Sequence, residues 1–141
     1  MILGICLTSR KSNIEFRMGY GGFNILRTNI CRAFDEELAE VYADTLFAWK
    51  DPRGYTSKIN EILKDERFKD EDKDIIDFFF ASDCDGKCGY KTCKKIYNLI
   101  KDIDFGGKIF TYAAYSDGND YEELKAFLKE CYQKRRMMIW Y

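Results

Sequence analysis

Two short segments carry the residue types that could do chemistry. The first is Tyr20-Gly21-Gly22-Phe23-Asn24-Ile25-Leu26-Arg27. Glycines let a backbone come close to a ligand. A helix that starts there presents free N–H groups and a positive dipole end, which suits phosphate or carboxylate. Arg27, one turn into that helix, offers a forked donor. Tyr20 offers a ring to stack on a base. The segment is not a Walker A loop, because the Gly-Lys-Ser/Thr ending is missing. Nor is it a dinucleotide fingerprint, which needs a later spaced glycine. The same residues also fit a plain strand-to-helix turn with Phe23 in the core.

The second segment is Ser82-Asp83-Cys84-Asp85-Gly86-Lys87-Cys88. It has the look of an EF-hand loop, but the register fails. With Gly86 at the sixth position, Ala81 and Thr92 fall where acidic ligands are required. Asp83 and Asp85 suit Mg²⁺ or ribose hydroxyls. Capping the following helix is their simplest role. Cys84, Cys88 and Cys93 invite a zinc reading as a weaker alternative. Their spacing is wrong for common knuckles, and a fourth ligand would have to come from a distant Cys or from Asp85. Cys93 also fits the apolar face of its own helix. Beside this segment Lys87, Lys91, Lys94, Lys95 and Lys101 line the polar side of that helix, as a solvated surface or as a guide for an anion.

Catalysis has few candidate groups. The chain has no His, which removes His-dependent triads and imidazole zinc sites. Any general base must be Asp, Glu, Lys, Tyr or Cys. No nucleophile–base–orienter set stands out, and no Cys-x-x-Cys supports redox work. The reading assigns no catalytic residue, no cofactor and no metal.

The elements that position these segments follow from periodicity. Residues 2–8 read as a buried strand and residues 14–18 as a second, alternating one. Phe23, Leu26, Ile30 and Phe34 predict a helix over about 22–34. Asp35 is a good N-cap for the next helix, whose inner face is Leu38, Val41, Tyr42, Leu46 and Trp49. Residues 51–54 read as a turn, and Ser57 as the cap of a shorter helix with Ile59, Ile62 and Leu63 inward. Residues 64–74 are charge-dense and read as a solvated loop or helix end. Residues 75–81 fit helix or strand, and 82–86 a loop. A helix is expected at about 91–103 with Cys93, Ile96, Leu99, Ile100 and Ile103 inward. Residues 108–115 lean to helix. Asn119 or Asp120 caps a last helix with Tyr121, Leu124, Phe127, Leu128 and Cys131 inward. Residues 137–141 read as a closing strand. The expected architecture is a single α+β domain over 1–141, with a small sheet joining the N- and C-terminal strands under about five helices.

Composition agrees with that and narrows partners. The chain has 141 residues, 46% hydrophobic and 33% charged, enough to bury a core without staples. Its 23 basic and 24 acidic residues leave a net charge of -1, so no global basic excess drives stable nucleic-acid or membrane-surface binding. No apolar run approaches membrane-spanning length. The basic residues near the N-terminus follow the apolar run, which argues against a secretory signal. Six cysteines without an export signal point to reduced thiols and a cytoplasmic setting. Cys6, Cys31 and Cys131 sit in apolar patterns and read as core.

Tyr20 to Arg27, Ser82 to Gly86 with Cys93, and Cys131 with Trp140 together carry a resemblance. Over most of its length the chain resembles a family of small proteins of bacteria and their phages. Its members carry a Tyr-Ser/Gly-Gly-Phe-Asn-x-x-Arg segment, a central Ser-Asp-Cys-Asp-Gly before a Cys-bearing helix, and a Cys-bearing helix running into a strand with Trp. Two departures stand out. Ala81 occupies a position where members often carry His, and Cys88 is outside the pattern. The resemblance carries no activity with it. It implies that Tyr20, Gly21, Gly22, Phe23, Asn24 and Arg27 form one ligand site with Ser82, Asp83, Asp85 and Gly86.

Such a set suits a small anionic nucleotide: Arg and amides for phosphate, rings for a base, Asp for ribose. The expectation is a phage-type anti-defence protein in the host cytoplasm. It would sequester a cyclic ADP-ribose-like or cyclic dinucleotide signal without turnover. A homo-oligomer with the site between subunits is compatible with that reading. The alternatives are a protein–protein inhibitor or adaptor, using some of the 23 aromatic residues, and a Mg²⁺-dependent nucleotide-cleaving enzyme.

Overall fold

Antiparallel pairing ties the two ends of the chain together. In a computed structural model, residues 5–9, 15–18, 20–45, 52–81, 85–103 and 119–141 are described. Four strands form one sheet in the order β2-β1-β4-β3. They are β1 (Ile5–Ser9), β2 (Glu15–Met18), β3 (Gly86–Cys88) and β4 (Met138–Trp140). β1 pairs with β2 in the register Ile5↔Met18 and with β4 in the register Leu7↔Trp140. β4 pairs with β3 through Gly86↔Trp140 and Cys88↔Met138. Every pairing is antiparallel. The fold is therefore α+β, and the expected N- and C-terminal strands are neighbours at the centre of the sheet. Met138 and Trp140 are buried while Ile139 between them is half-buried, the alternation of a sheet with one inner face.

Six α-helices occur among the described residues: α1 (Tyr20–Phe34), α2 (Glu36–Thr45), α3 (Pro52–Ile62), α4 (Lys73–Phe80), α5 (Tyr90–Ile100) and α6 (Asn119–Gln133). A single 3₁₀ turn, Asp70–Asp72, precedes α4. The longest apolar stripe is on α1, where Phe23, Leu26, Ile30 and Cys31 are buried. α6 buries Leu124, Phe127, Leu128 and Cys131 against α5, which buries Cys93, Ile96 and Ile100. An aromatic seam joins the layers. Phe34 meets Phe79 at 5.8 Å between ring centroids, Phe78 meets Phe79 at 5.9 Å, and Phe78 meets Trp140 edge-on at 5.6 Å. No described helix is long and apolar enough to cross a membrane.

Several expectations need correction. α1 begins at Tyr20, so Gly21 and Gly22 lie inside its first turn and do not precede it. Pro52 opens α3. Its fixed φ and missing N–H suit the first helical position, where no intrahelical donor is needed. Ser57 is therefore an exposed residue inside the helix and not its cap. The ambiguous 75–81 segment is the helix α4, whose buried residues are Ile75, Phe78 and Phe79. Gly86, expected as the end of a loop over 82–86, opens the edge strand β3, Gly86–Cys88. Asn119 and Asp120 are the first residues of α6, within the helix and not ahead of it. Leu46, Trp49, Asp51 and residues 108–115 lie outside the described residues.

Asp35 does cap α2: its Oδ1 accepts the Leu38 N–H at 2.9 Å. Arg67 reaches back from the charge-dense segment to the same carboxylate, with Nε 2.7 Å from Oδ2, and pairs with Glu37 at 3.1 Å and Asp65 at 3.2 Å. Phe68 packs on Phe34, so this segment clamps the α1–α2 corner as well as facing solvent. Burial pushes the Asp35 carboxyl up, but the Arg67 and Leu38 hydrogen bonds outweigh it and hold it below the usual carboxylate range. Asp35→Ala is expected to cost about 1 kcal/mol at neutral pH. A depressed folded pKa stabilises above the unfolded value of about 3.9 and is lost as pH falls through the folded one. The gap between wild type and variant should therefore narrow below about pH 4, which urea unfolding across a pH series measures.

The end of α6 aims β4. Arg136 N–H donates to Cys131 O at 2.8 Å and Arg135 N–H to Tyr132 O at 3.3 Å, the pair of bonds of a Schellman cap. Arg135 holds a left-handed φ of 53° at the position glycine usually takes. The chain turns there into Met138 and Trp140.

Candidate functional site

Phe23 and Arg27 of the first segment and Gly86 of the second border one aromatic cluster. Phe23, in the second turn of α1, is fully buried, 5.7 Å from the Trp140 ring and 6.5 Å from the Phe78 ring. Arg27 lies one turn further on and is 4% exposed. Its guanidinium sits 4.6 Å over the Phe23 ring. Nη1 donates to Ala81 O at 2.7 Å and to Phe78 O at 3.3 Å. Those two carbonyls belong to the last turn of α4 and its C-cap, where a helix leaves acceptors without intrahelical partners. A cation there also suits the negative end of the helix dipole. Arg27 thus holds the C-terminal end of α4 at Ala81.

Gly86 is held by Trp140. A Cβ placed on Gly86 would meet Trp140 Cζ2 at 2.2 Å and Cε2 at 2.4 Å. The indole lies against the Gly86 backbone, and only a residue without a side chain allows that approach. Ala81 is therefore held by α1 and Gly86 by β4. Phe23 touches both holders, since it contacts Arg27 and Trp140.

This arrangement redistributes the expected roles. Phe23 and Arg27 are expected to touch ligand, and in the structure both are buried. Phe23 is enclosed by aromatic rings, and Arg27 is engaged by carbonyls. Gly86 is required by packing. Asn24 is half-buried; its Oδ1 accepts from Arg27 Nη2 at 3.4 Å and its carbonyl accepts from the Thr28 hydroxyl at 2.8 Å. Tyr20, Gly21 and Gly22 form the first turn of α1. Asp85 is exposed at the loop's end. Ser82, Asp83 and Cys84 lie outside the described residues. Sequence reasoning did not single out Ala81, Phe78 or Trp140 as holders of the site. The placement of Arg27 inside the Phe23–Cys31 apolar stripe was the available signal.

The four cysteines among the described residues are core groups. Cys31, Cys93 and Cys131 are fully buried and Cys88 nearly so. Cys88 and Cys93 bring their sulfurs to 3.9 Å. The Cys131 contact favours the Cys93 thiolate, but the Cys88 contact and burial outweigh it and push that thiol far above its ordinary value. Burial, aided by Asp35, pushes the Cys31 thiol up to about 12. Such thiols are poor nucleophiles and poor ligands at neutral pH. Among the described residues no group of three His, Cys, Asp or Glu is placed to hold a metal ion. The Cys84–Cys88–Cys93 alternative therefore has only its last two members in view, and both are filling the core.

No protein-family model, curated protein or solved structure matches this chain. Function must be argued from the residues themselves.

Proposed function

We propose that the first turn of α1 and the 82–85 loop form the rim of a binding site for a phosphorylated nucleotide, and that the protein acts by stoichiometric sequestration. The observation that supports this reading is that Arg27, from the first segment, bonds Ala81 O just before the second, while Trp140, packed on Phe23, lies against Gly86. Ala81 and Gly86 flank residues 82–85 with fixed positions, and such preorganisation favours tight binding. The N–H groups of Tyr20, Gly21 and Gly22 are the natural partners for phosphate. Asp83 and Asp85 are suited to ribose hydroxyls, and Tyr20 to the base. In this reading Arg27 and Phe23 act from beneath, as positioning residues. The ligand class is a cyclic ADP-ribose-like or cyclic dinucleotide signal. The setting is a phage-type anti-defence protein in the host cytoplasm.

The test uses cyclic ADP-ribose, cyclic di-GMP and cyclic GMP-AMP as calorimetric probes. At least one is expected to bind stoichiometrically and be recovered unchanged. Asp85 is exposed, so Asp85→Ala should leave the melting temperature within about 2 °C of wild type while weakening that ligand about tenfold or more. Unchanged affinity in Asp85→Ala would remove the loop from the site. Recovery of a cleaved product would replace sequestration with turnover.

A further inference from the structure

A cavity lies at the C-terminal end of α1. It has a volume of about 330 Å³. The last residue of α1, the 3₁₀ turn, the start of α4 and the outer half of α5 enclose it. α1 has 15 residues, so its two ends are roughly 20 Å apart and the two sites share no residue. Phe34, Ile75 and Leu99 make the apolar part of the wall. Ile75 is fully buried, and Phe34 and Leu99 pack against the core. A volume of this size holds one aromatic ring or a short aliphatic chain with room to spare.

The polar wall has a sign. Glu71 and Asp72 contribute carboxylates from the 3₁₀ turn, and Lys95 and Asn98 face them from α5. The lysine is already matched. Its Nζ lies 2.6 Å from Asp74 Oδ1 and also donates to the Glu71 carbonyl. Burial pushes the Asp74 carboxyl up, but hydrogen bonds from Lys95 and Thr92 outweigh it and keep it ionised at neutral pH. Asp74 thus cancels Lys95, and the carboxylates of Glu71 and Asp72 set the field at the mouth. Asp72 also accepts the Lys69 N–H at 3.0 Å, which fixes its direction. Lys91, one turn before Lys95, shares its side of the helix but does not line the cavity, and Lys94 and Lys101 project roughly 100–120° round the axis from Lys95.

We propose that this cavity is a binding site for a small organic cation with an apolar body, an aryl- or alkylammonium group. The body fills the space against Phe34, Ile75 and Leu99. The ammonium faces Glu71 and Asp72, with Asn98 offering a further acceptor. The site is independent of the nucleotide reading, because none of its walls supports the 82–85 loop.

The probes are phenethylammonium, 3-phenylpropionate and 2-phenylethanol, titrated into the ¹⁵N-labelled protein. Phenethylammonium is expected to give saturable amide shifts at Ile75, Asn98 and Leu99, with a Kd of about 1 mM or tighter. The alcohol should bind at least about threefold more weakly and the carboxylate at least about tenfold more weakly. Glu71→Lys, on an exposed side chain, should abolish the preference for the cation. Leu99→Trp should fill the space and remove all three shifts. Equal or tighter binding of the carboxylate would overturn the charge assignment. Shifts that stay unsaturated, or that survive in Glu71→Lys with the same preference, would overturn the site.

Discussion

Arg27→Met is expected to destabilise the protein by about 3 kcal/mol. The side chain is 4% exposed and bridges two helices. Its guanidinium donates to Phe78 O and Ala81 O from α1, across more than 50 residues of sequence. Hydrogen bonds from a charged donor contribute about 1.5–3 kcal/mol each, and the abandoned carbonyls lie at a helix end with few other donors. Methionine keeps much of the packing on Phe23 but can donate nothing. Lysine keeps the charge without the planar fork, so Arg27→Lys should fall between the two. Urea unfolding reads the effect as a midpoint lowered by roughly 1–2 M. A shift under about 0.3 M would mean that the guanidinium does not hold the end of α4. The loop prediction follows from the same contact. Amide exchange in α4 should quicken in Arg27→Met ahead of exchange in α6, because only α4 loses its terminal donor.

Gly86→Ala has the second large expected effect, at about 2–3 kcal/mol. The new Cβ would stand 2.2 Å from Trp140 Cζ2, well inside contact distance. The indole is rigid, fully buried, and packed on Phe23 and Phe78. It cannot swing aside without opening the aromatic cluster, so β3 must detach from β4 instead. Loss of β3 frees the far end of the 82–85 loop. Trp140→Leu makes room for the methyl group, so the double variant should be less destabilised than the sum of the single ones by about 1 kcal/mol or more. Additive effects would show that the clash is relieved without moving the indole.

Much of the architecture was legible because its signals are local. Asp35 followed by two glutamates and a periodic apolar run specifies a helix start, and the Leu38 N–H bond is its consequence. The α5 and α6 stripes were equally readable, since burial repeats every three or four residues. The edge strand β3 was not, because three residues cannot display a period. Pro52 was read as a break, although proline equally suits a helix start. The site divides along the same line. That the two segments belong together is an expectation from resemblance; the described contacts are Arg27 on Ala81 O and Trp140 against Gly86. Which side chains face outward depended on tertiary packing. A buried arginine looks in sequence like any basic residue on a helix. Only its neighbours at positions 23 and 31, both apolar, mark it as lying on the inner face.

The most direct test of the sequestration reading is native against denaturing mass spectrometry of the protein purified from cells that make cyclic nucleotide signals. The reading predicts an added mass equal to one such nucleotide per site, lost on denaturation and absent in Asp85→Ala. A bare native mass in signal-producing cells, with intact protein and abundant signal, would contradict it.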